Sequence, residues 1–106
     1  MAKVYSTYVP NHGPVDSPLW LVGESPGQSE EVEQKPLVGE AGQLLMEVLK
    51  NYGVNYNDVY LANLCNYRPY GNDFKNCVGT RELTESLNTL YQAISKYNPI
   101  CIIALG

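Results

Sequence analysis

The sequence predicts an α/β domain: a three-layer α/β/α arrangement around a parallel sheet, incomplete at about three strands and two helices. Two observations carry that expectation. Three short apolar runs, Leu19 to Val22, Val59 to Leu64 and Ile100 to Leu105, are continuous rather than alternating, as strands buried on both faces are. The stretches between them hold longer segments whose apolar residues recur at helical spacing. An order of strand, helix, strand, helix, strand calls for crossover connections and therefore for parallel pairing.

Residues 1–18 contain Pro10, Gly13, Pro14 and Pro18 with little periodicity, and read as an extended lead-in along the surface of a domain formed by residues 19–106. The first strand ends at Gly23. From Ser25 to Gly39 runs a polar loop with Pro26, Gly27, the acids Glu30, Glu31 and Glu33, and Pro36. Its length is unusual for a simple connection and marks it as functional or disordered. A helix follows from about Ala41 to Tyr52, with Leu44, Leu45, Val48, Leu49 and Tyr52 as its apolar face and Gly53 as its stop.

The turn "GVNYND" leads into the second strand, and "NYRPYGNDFKNCVGT" forms a second turn-rich connection. The second helix spans about Arg81 to Tyr97, with Leu83, Leu87, Leu90, Tyr91 and Ile94 on one face, and Asn98-Pro99 ends it. The third strand is rich in β-branched residues, and Cys101 within it is expected to be buried. The sequence stops at Gly106, directly after that strand. The expectation is a piece of a longer protein whose open sheet edge is covered by the remainder of the parent chain or by a second copy.

Composition narrows the function classes. With 44% apolar and 17% charged residues the chain can build a modest core. No apolar run approaches the roughly 20 residues that span a bilayer, and "MAKVYSTYVP" has no apolar signal segment. A cytoplasmic protein without membrane contact is expected. Cys65, Cys77 and Cys101 are odd in number and contain no C-x-x-C, which argues against a zinc site or a disulfide framework. A net charge of −4 argues against a strongly basic grip on nucleic acid, though not against a local patch. Of nine tyrosines, Tyr5, Tyr8, Tyr67 and Tyr70 fall in loop-like contexts, where they either stack on bases or cover core edges.

Parallel sheets bind ligands outside the carboxyl ends of their strands. Here those ends are Gly23-Glu24-Ser25, Asn63-Leu64-Cys65 and Gly106. The first carries Gly23-Glu24-Ser25-Pro26-Gly27, which matches the G-x-S-x-G elbow of serine hydrolases. The elbow's oxyanion hole uses the N–H of the residue after the serine, and Pro26 has none. The lone histidine, His12, lies upstream of the strand. A hydrolase elbow is therefore excluded. A phosphate-cradling loop would continue with Gly-Lys-Ser/Thr, which is missing. What remains is a glycine-bracketed turn with a carboxylate, either a plain tight turn or the wall of a pocket.

The longer stretch "LVGESPGQSEEVEQKPLVGEAGQLL" (Leu21 to Leu45) resembles the uracil-DNA glycosylase superfamily, closest to its iron–sulfur branch, families four and five. That branch reads G-E-A/G-P-G, an acidic stretch, then G-R-P-F-V-G-x-A-G-Q-L-L. "VYLANLCNYRP" is similar to its T-N-x-x-K-C-R-P strand, and "YNPICIIALG" to its later strand that runs into L-G. The resemblance covers Leu19 to Gly106. It implies a pocket at the strand ends for a uracil flipped out of DNA. By position, Glu24 would place water or stabilise the sugar cation, and the backbone around Gly23, Glu24 and Ser25 would hold the uracil carbonyl. Pro26 and Gly27 would shape the turn, Leu37 would face the base, and Asn63 would read its edge. Arg68 and Lys75 would contact phosphates.

The sequence also departs from the pattern. Leu37 stands where the family has a phenylalanine that stacks on uracil. Tyr67 stands in the place of the cysteine of K-C-R-P, Glu85 in that of a later cluster ligand, and no cysteine pair precedes the first strand. No iron–sulfur cluster and no other cofactor is therefore expected. The family's histidine-bearing loop follows its next strand and is not among these residues, so the chain alone is expected to be weakly active or inactive. Two readings stay open: a uracil-excising protein of base-excision repair acting on DNA, or a non-catalytic glycosylase-like module of a phage-type DNA polymerase that serves DNA binding or assembly.

Overall fold

The strand after the lead-in, Leu19–Gly23, occupies the middle of the protein, which the computed structural model describes over residues 3–105. In chain order the elements are β1 (Val4–Tyr8), β2 (Leu19–Gly23), α1 (Gln28–Glu33), α2 (Glu40–Lys50), β3 (Tyr60–Asn63), β4 (Tyr67–Pro69), α3 (Arg81–Tyr97) and β5 (Cys101–Ala104). Short 3-10 turns cover Tyr56–Asp58, Tyr70–Asn72 and Phe74–Cys77. Met1, Ala2 and Gly106, with the expectations that fall on them, lie outside the described residues.

β2 pairs in parallel with β3, Trp20 opposite Tyr60 through Gly23 opposite Asn63. On its other side it pairs in parallel with β5, Leu19 opposite Cys101 through Val22 opposite Ala104. The sheet order is β3-β2-β5. Alternation along the strands sorts the core into two layers. Trp20, Val22 and Ala62 pack against Leu90, Ala93 and Ile94 of α3. Leu21, Val59 and Leu61 pack against Leu45, Met46 and Leu49 of α2. The two long helices thus cover opposite faces, which is the three-layer arrangement predicted. The chain passes from β2 to β3 and then back across β2 to β5. The switch in direction opens a crevice at the carboxyl ends of β2 and β5.

Three features differ from the sequence expectation. First, the lead-in is not merely draped on the surface. β1 pairs antiparallel with β4, Val4 opposite Pro69 and Tyr8 opposite Tyr67, making a second, two-stranded sheet. Val9 is fully buried and its N–H donates to Asn66 O at 2.8 Å. His12 forms an isolated antiparallel bridge with Leu61, at the side of β3 away from β2. Second, α1 lies within the stretch read as loop.

The third difference concerns apolar residues placed inside. On α2, which ends at Lys50 rather than Tyr52, Leu44 and Val48 face solvent at 65% and 48% exposure, as does Tyr52 in the turn beyond it at 82%, and Met46 takes an inward place instead. Tyr91 of α3 is likewise exposed. Cys101 is exposed rather than buried, because β5 is an edge strand in which Cys101, Ile102, Ile103 and Ala104 are all exposed. A continuous apolar run predicts burial only where neighbours flank the strand on every side. Among the described residues, no helix is long and apolar enough to cross a membrane.

Candidate functional site

The crevice at the strand ends is a cleft of about 410 Å³ lined by Gly23, Glu24, Ser25, Pro26, Gly27, Leu37, Asn63, Asn72 and Leu105. The structure therefore brings seven sequence-selected residues around one opening. That volume lies within the range of small-molecule sites.

The floor is set by backbone bonds that continue past the strands. Leu64 N–H donates to Gly23 O at 2.9 Å, Cys65 N–H to Glu24 O at 3.0 Å, and Leu105 N–H to Val22 O at 2.8 Å. These fix the turn while the Glu24 side chain stays exposed at the rim. Pro26 is buried and Ser25 half-buried. The chain then enters α1 at Gly27.

Asn63 is the most telling group. As a residue it is only 5% exposed, and it lines the cleft with no side-chain hydrogen bond to the other described residues. Its neighbour in sequence type, Asn66, is equally buried but donates to Val9 O at 2.8 Å and to Asn11 Oδ1 at 2.9 Å. Among the described residues the side-chain polar atom that is fully buried without a partner is Trp20 Nε1, so the Asn63 amide is left open to the cleft, where a ligand can meet it. Gly23 makes room for it, since a Cβ at that position would lie 2.7 Å from Asn63 Oδ1.

The wall opposite is built by Glu30. Its Oε1 accepts the Gly27 N–H at 2.8 Å, and its Oε2 accepts the Val38 N–H at 3.0 Å and the Gly39 N–H. One carboxylate so joins the entry of α1 to the entry of α2 and closes the acidic loop on itself. Between those points Leu37 holds the left-handed region at φ 57°, a conformation that costs a branched residue energy. Gly42 packs against its backbone so closely that a Cβ there would lie 2.3 Å from Leu37 O. The Tyr56 hydroxyl donates to Pro36 O at 2.6 Å and braces the same segment. Burial first, then Glu30 and Glu33, push that phenol up to about 12.

Arg68 and Lys75 are not gathered into the cleft. Arg68 ion-pairs with Glu31 at 3.1 Å, its Nε donates to Asn72 Oδ1 at 2.9 Å, and its guanidinium lies 4.9 Å from the Tyr5 ring centre. Instead of standing free for a phosphate, it ties α1 to the turn that presents Asn72. Lys75 is exposed on the Phe74–Cys77 turn. Asn72 and Leu105 were not foreseen. Asn72 has the left-handed φ of 55° that asparagine tolerates, inside the turn-rich stretch, and this was its only signal in the sequence.

His12 sits elsewhere, with its Nε2 3.2 Å from Asn57 Oδ1 and its ring 5.0 Å from Tyr56. Ser25 therefore has no imidazole partner in this chain. No cysteine lines the cleft, and burial first, then Cys65 and Glu24, raise the Cys77 thiol. The cleft holds an exposed carboxylate, an amide open to it, a glycine-lined turn and an apolar side. Such a set can read the polar edge of a flat ring and stabilise a developing positive charge beside it.

Comparison with known proteins agrees with the resemblance noted in the sequence. The model of the family described as "Uracil DNA glycosylase superfamily" matches residues 10–106. A type-4 uracil-DNA glycosylase of Pyrobaculum aerophilum is 41% identical over 104 residues, 98% of this chain and 52% of its own length. Type-4 uracil-DNA glycosylases of Archaeoglobus fulgidus and Thermotoga maritima are 33% and 36% identical, over 98% and 92% of this chain and 51% and 50% of their own lengths. The chain spans about half the length of the curated relatives it matches.

Proposed function

The chain belongs to the uracil DNA glycosylase superfamily, and from that membership we propose that it supplies the strand-end half of a site that excises uracil from DNA. The observation that carries the proposal is Asn63, whose side-chain amide has no hydrogen bond to the other described residues and lines the cleft that Glu24 rims. Uracil presents a carbonyl acceptor beside an N–H donor, and a carboxamide presents the complementary pair. Cytosine reverses both, so an amide held in one orientation rejects it whereas a freely rotating one does not.

In the reaction the C1′–N1 bond breaks and its electron pair leaves with the base. The sugar becomes oxocarbenium-like and the uracil becomes an anion. Water adds through its oxygen to C1′, and its proton is finally taken up by the departed uracil. Glu24, held through its own carbonyl by Cys65 N–H, places a carboxylate where that water and cation form. The backbone turn from Gly23 to Ser25 faces the uracil carbonyl as charge grows on it. Leu37 offers an apolar surface to the ring in place of an aromatic one.

DNA is the partner in this proposal, with uracil-containing single strands as the first substrate to try. The remainder of the family domain is the proposed cover for β5, where Ile100, Ile102 and Ile103 are 88%, 41% and 40% exposed. A second copy meeting β5 edge to edge is the competing cover. Light scattering of the 106-residue chain at high concentration separates them, since a strictly monomeric profile rejects the second copy. A cytoplasmic setting belongs to the same proposal and fits the three unpaired cysteines. A non-catalytic polymerase module is not favoured, because the relatives above are glycosylases.

The test is uracil release from single-stranded DNA by the full-length protein that carries this chain, with Glu24→Ala and Asn63→Ala beside it. Each substitution is expected to slow release by about 10² or more. A parent that releases uracil at an unchanged rate with both substitutions would overturn the assignment.

A further inference from the structure

The iron–sulfur branch that the sequence resembles holds its cluster with cysteines from three places: before the first strand, at K-C-R-P, and at the position here occupied by Glu85. A [4Fe–4S] cluster takes four thiolates. The residues present do not fit it. Tyr67 and Glu85 stand at two ligand positions, and both line one small cavity of about 130 Å³ with Tyr8, Asn66, Ser86 and Thr89. The structure thus brings the former ligand positions together while giving them oxygen and amide groups. Iron in a sulfide cluster prefers soft thiolate donors to these.

The cysteines themselves lie elsewhere. Cys65 and Cys77 are buried with Val4, packed by Tyr67, Phe74 and Leu83. Cys101 is on the edge strand, opposite Leu19. Among the described residues, no three His, Cys, Asp or Glu side chains converge as a metal-binding group.

The space is filled differently. Tyr8 lies opposite Tyr67 across the β1–β4 ladder, with ring centres 5.6 Å apart at 71°. Tyr5 meets Tyr70 edge-on at 4.7 Å. Burial raises the Tyr8 phenol, as do Tyr60 and Tyr67, so it stays a neutral hydroxyl and not an anionic ligand. At the centre, Asn66 joins the same three chain segments that a cluster would. Its Nδ2 donates to Val9 O and Asn11 Oδ1 in the segment before β2, and its own backbone precedes Tyr67. Its N–H donates to Ser86 Oγ at 3.1 Å, one residue past Glu85.

We propose that this chain has exchanged the family's metal cluster for a metal-free staple, in which Asn66 hydrogen bonds and the paired tyrosines of β1 and β4 hold the lead-in, β4 and α3 together. The test reads metal and melting rather than uracil release, so it stands or falls apart from the activity proposed above. The full-length protein is purified without oxygen, incubated with ferrous iron and sulfide, desalted, and assayed for iron and for absorbance near 400 nm.

The expected result is iron below about a tenth of an atom per chain, no band, and the same melting midpoint with and without a strong chelator. Stoichiometric iron with a band, or a midpoint that falls on chelation, overturns the proposal. Asn66→Ala removes two side-chain donors and is expected to lower the midpoint by roughly 10 °C, in metal-free buffer as well as in iron. Ser86→Ala removes only the bond to Asn66 N–H within this node and is expected to lower it by about half as much. If Asn66→Ala yields no folded protein, Ser86→Ala carries the test. No shift in Ser86→Ala, or a shift that iron restores, refutes the staple.

Discussion

Glu30 offers the sharpest test of how the cleft is held open. Its carboxylate accepts three backbone N–H groups, from Gly27, Val38 and Gly39, and among the described residues no other side chain spans that loop from end to end. Hydrogen bonds to a charged acceptor contribute about 1.5–3 kcal/mol each when well shielded. Glu30 is half-buried, so screening lowers the figure, and the three bonds share one side chain whose ordering is paid for once. Glu30→Ala should cost about 2–4 kcal/mol, which for a domain of this size is ~10 °C in melting midpoint. Glu30→Gln is a finer probe. A carboxamide accepts through one oxygen only, so the variant can keep Val38 and Gly39 or keep Gly27, and should lose roughly half as much.

Thermal unfolding followed by circular dichroism measures the first effect. Hydrogen exchange at Val38 and Gly39 then shows whether the loop, rather than the whole domain, has opened. Those two amides should lose protection in Glu30→Gln well before the amides of β2 do. A Glu30→Ala protein that melts within 2 °C of the parent, at about the resolution of the method, would refute the clamp. So would unchanged exchange at Val38 and Gly39.

Leu37, in the left-handed region and pinned by Gly42, should invert the usual order of substitutions: Leu37→Gly should be less destabilising than Leu37→Ala, because glycine recovers about 1 kcal/mol of backbone strain; equal midpoints would contradict this. Tyr56 has its folded pKa raised from 10.0 to about 12. Stability is therefore full below pH 10 and falls between pH 10 and 12, where the unfolded phenol ionises and the folded one does not. Tyr56→Phe should cost about 1 kcal/mol at neutral pH and flatten that alkaline slope in urea titrations; a slope of the same steepness would clear Tyr56. An aromatic disulfide reagent should modify Cys101 within seconds in the native chain and reach Cys65 and Cys77 only on unfolding; immediate reaction of all three thiols would show that the Cys65–Cys77 core opens readily.

Much of this architecture is visible in the sequence because β2, β3 and the two long helices announce themselves through burial. Leu19-Trp20-Leu21-Val22 is apolar without alternation because both its faces are covered. The misses share a cause, namely that the deciding contacts are not apolar. β1 reads Val4-Tyr5-Ser6-Thr7-Tyr8 and β4 is three residues ending in a proline. Neither has an apolar period, and each is a strand only because the other exists. α1 has no buried residue and is held by Glu30 at its third position. The row Leu44 and Val48 of α2, continued by Tyr52 past its end, has the same spacing as the buried row, and periodicity alone does not say which row faces in. For the cleft, the strand-end rule and the glycine-rich turn located most of the lining. Asn72 and Leu105 enter it through the path of the chain, which no local pattern encodes.

The two borders of the three-stranded sheet are unlike. His12 exchanges both backbone bonds with Leu61 and pegs the far side of β3, its N–H donating at 2.9 Å and its carbonyl accepting at 2.8 Å. β5 has no such peg among the described residues. A sheet with a single free border can be extended in one direction only, and one added strand ladder uses that border up. Copies of the chain that meet there must do so about a twofold axis, and the union closes at two. The three-stranded sheet can be completed or paired through β5, but that sheet cannot be propagated into a fibre by strand addition, because its other border is already pegged.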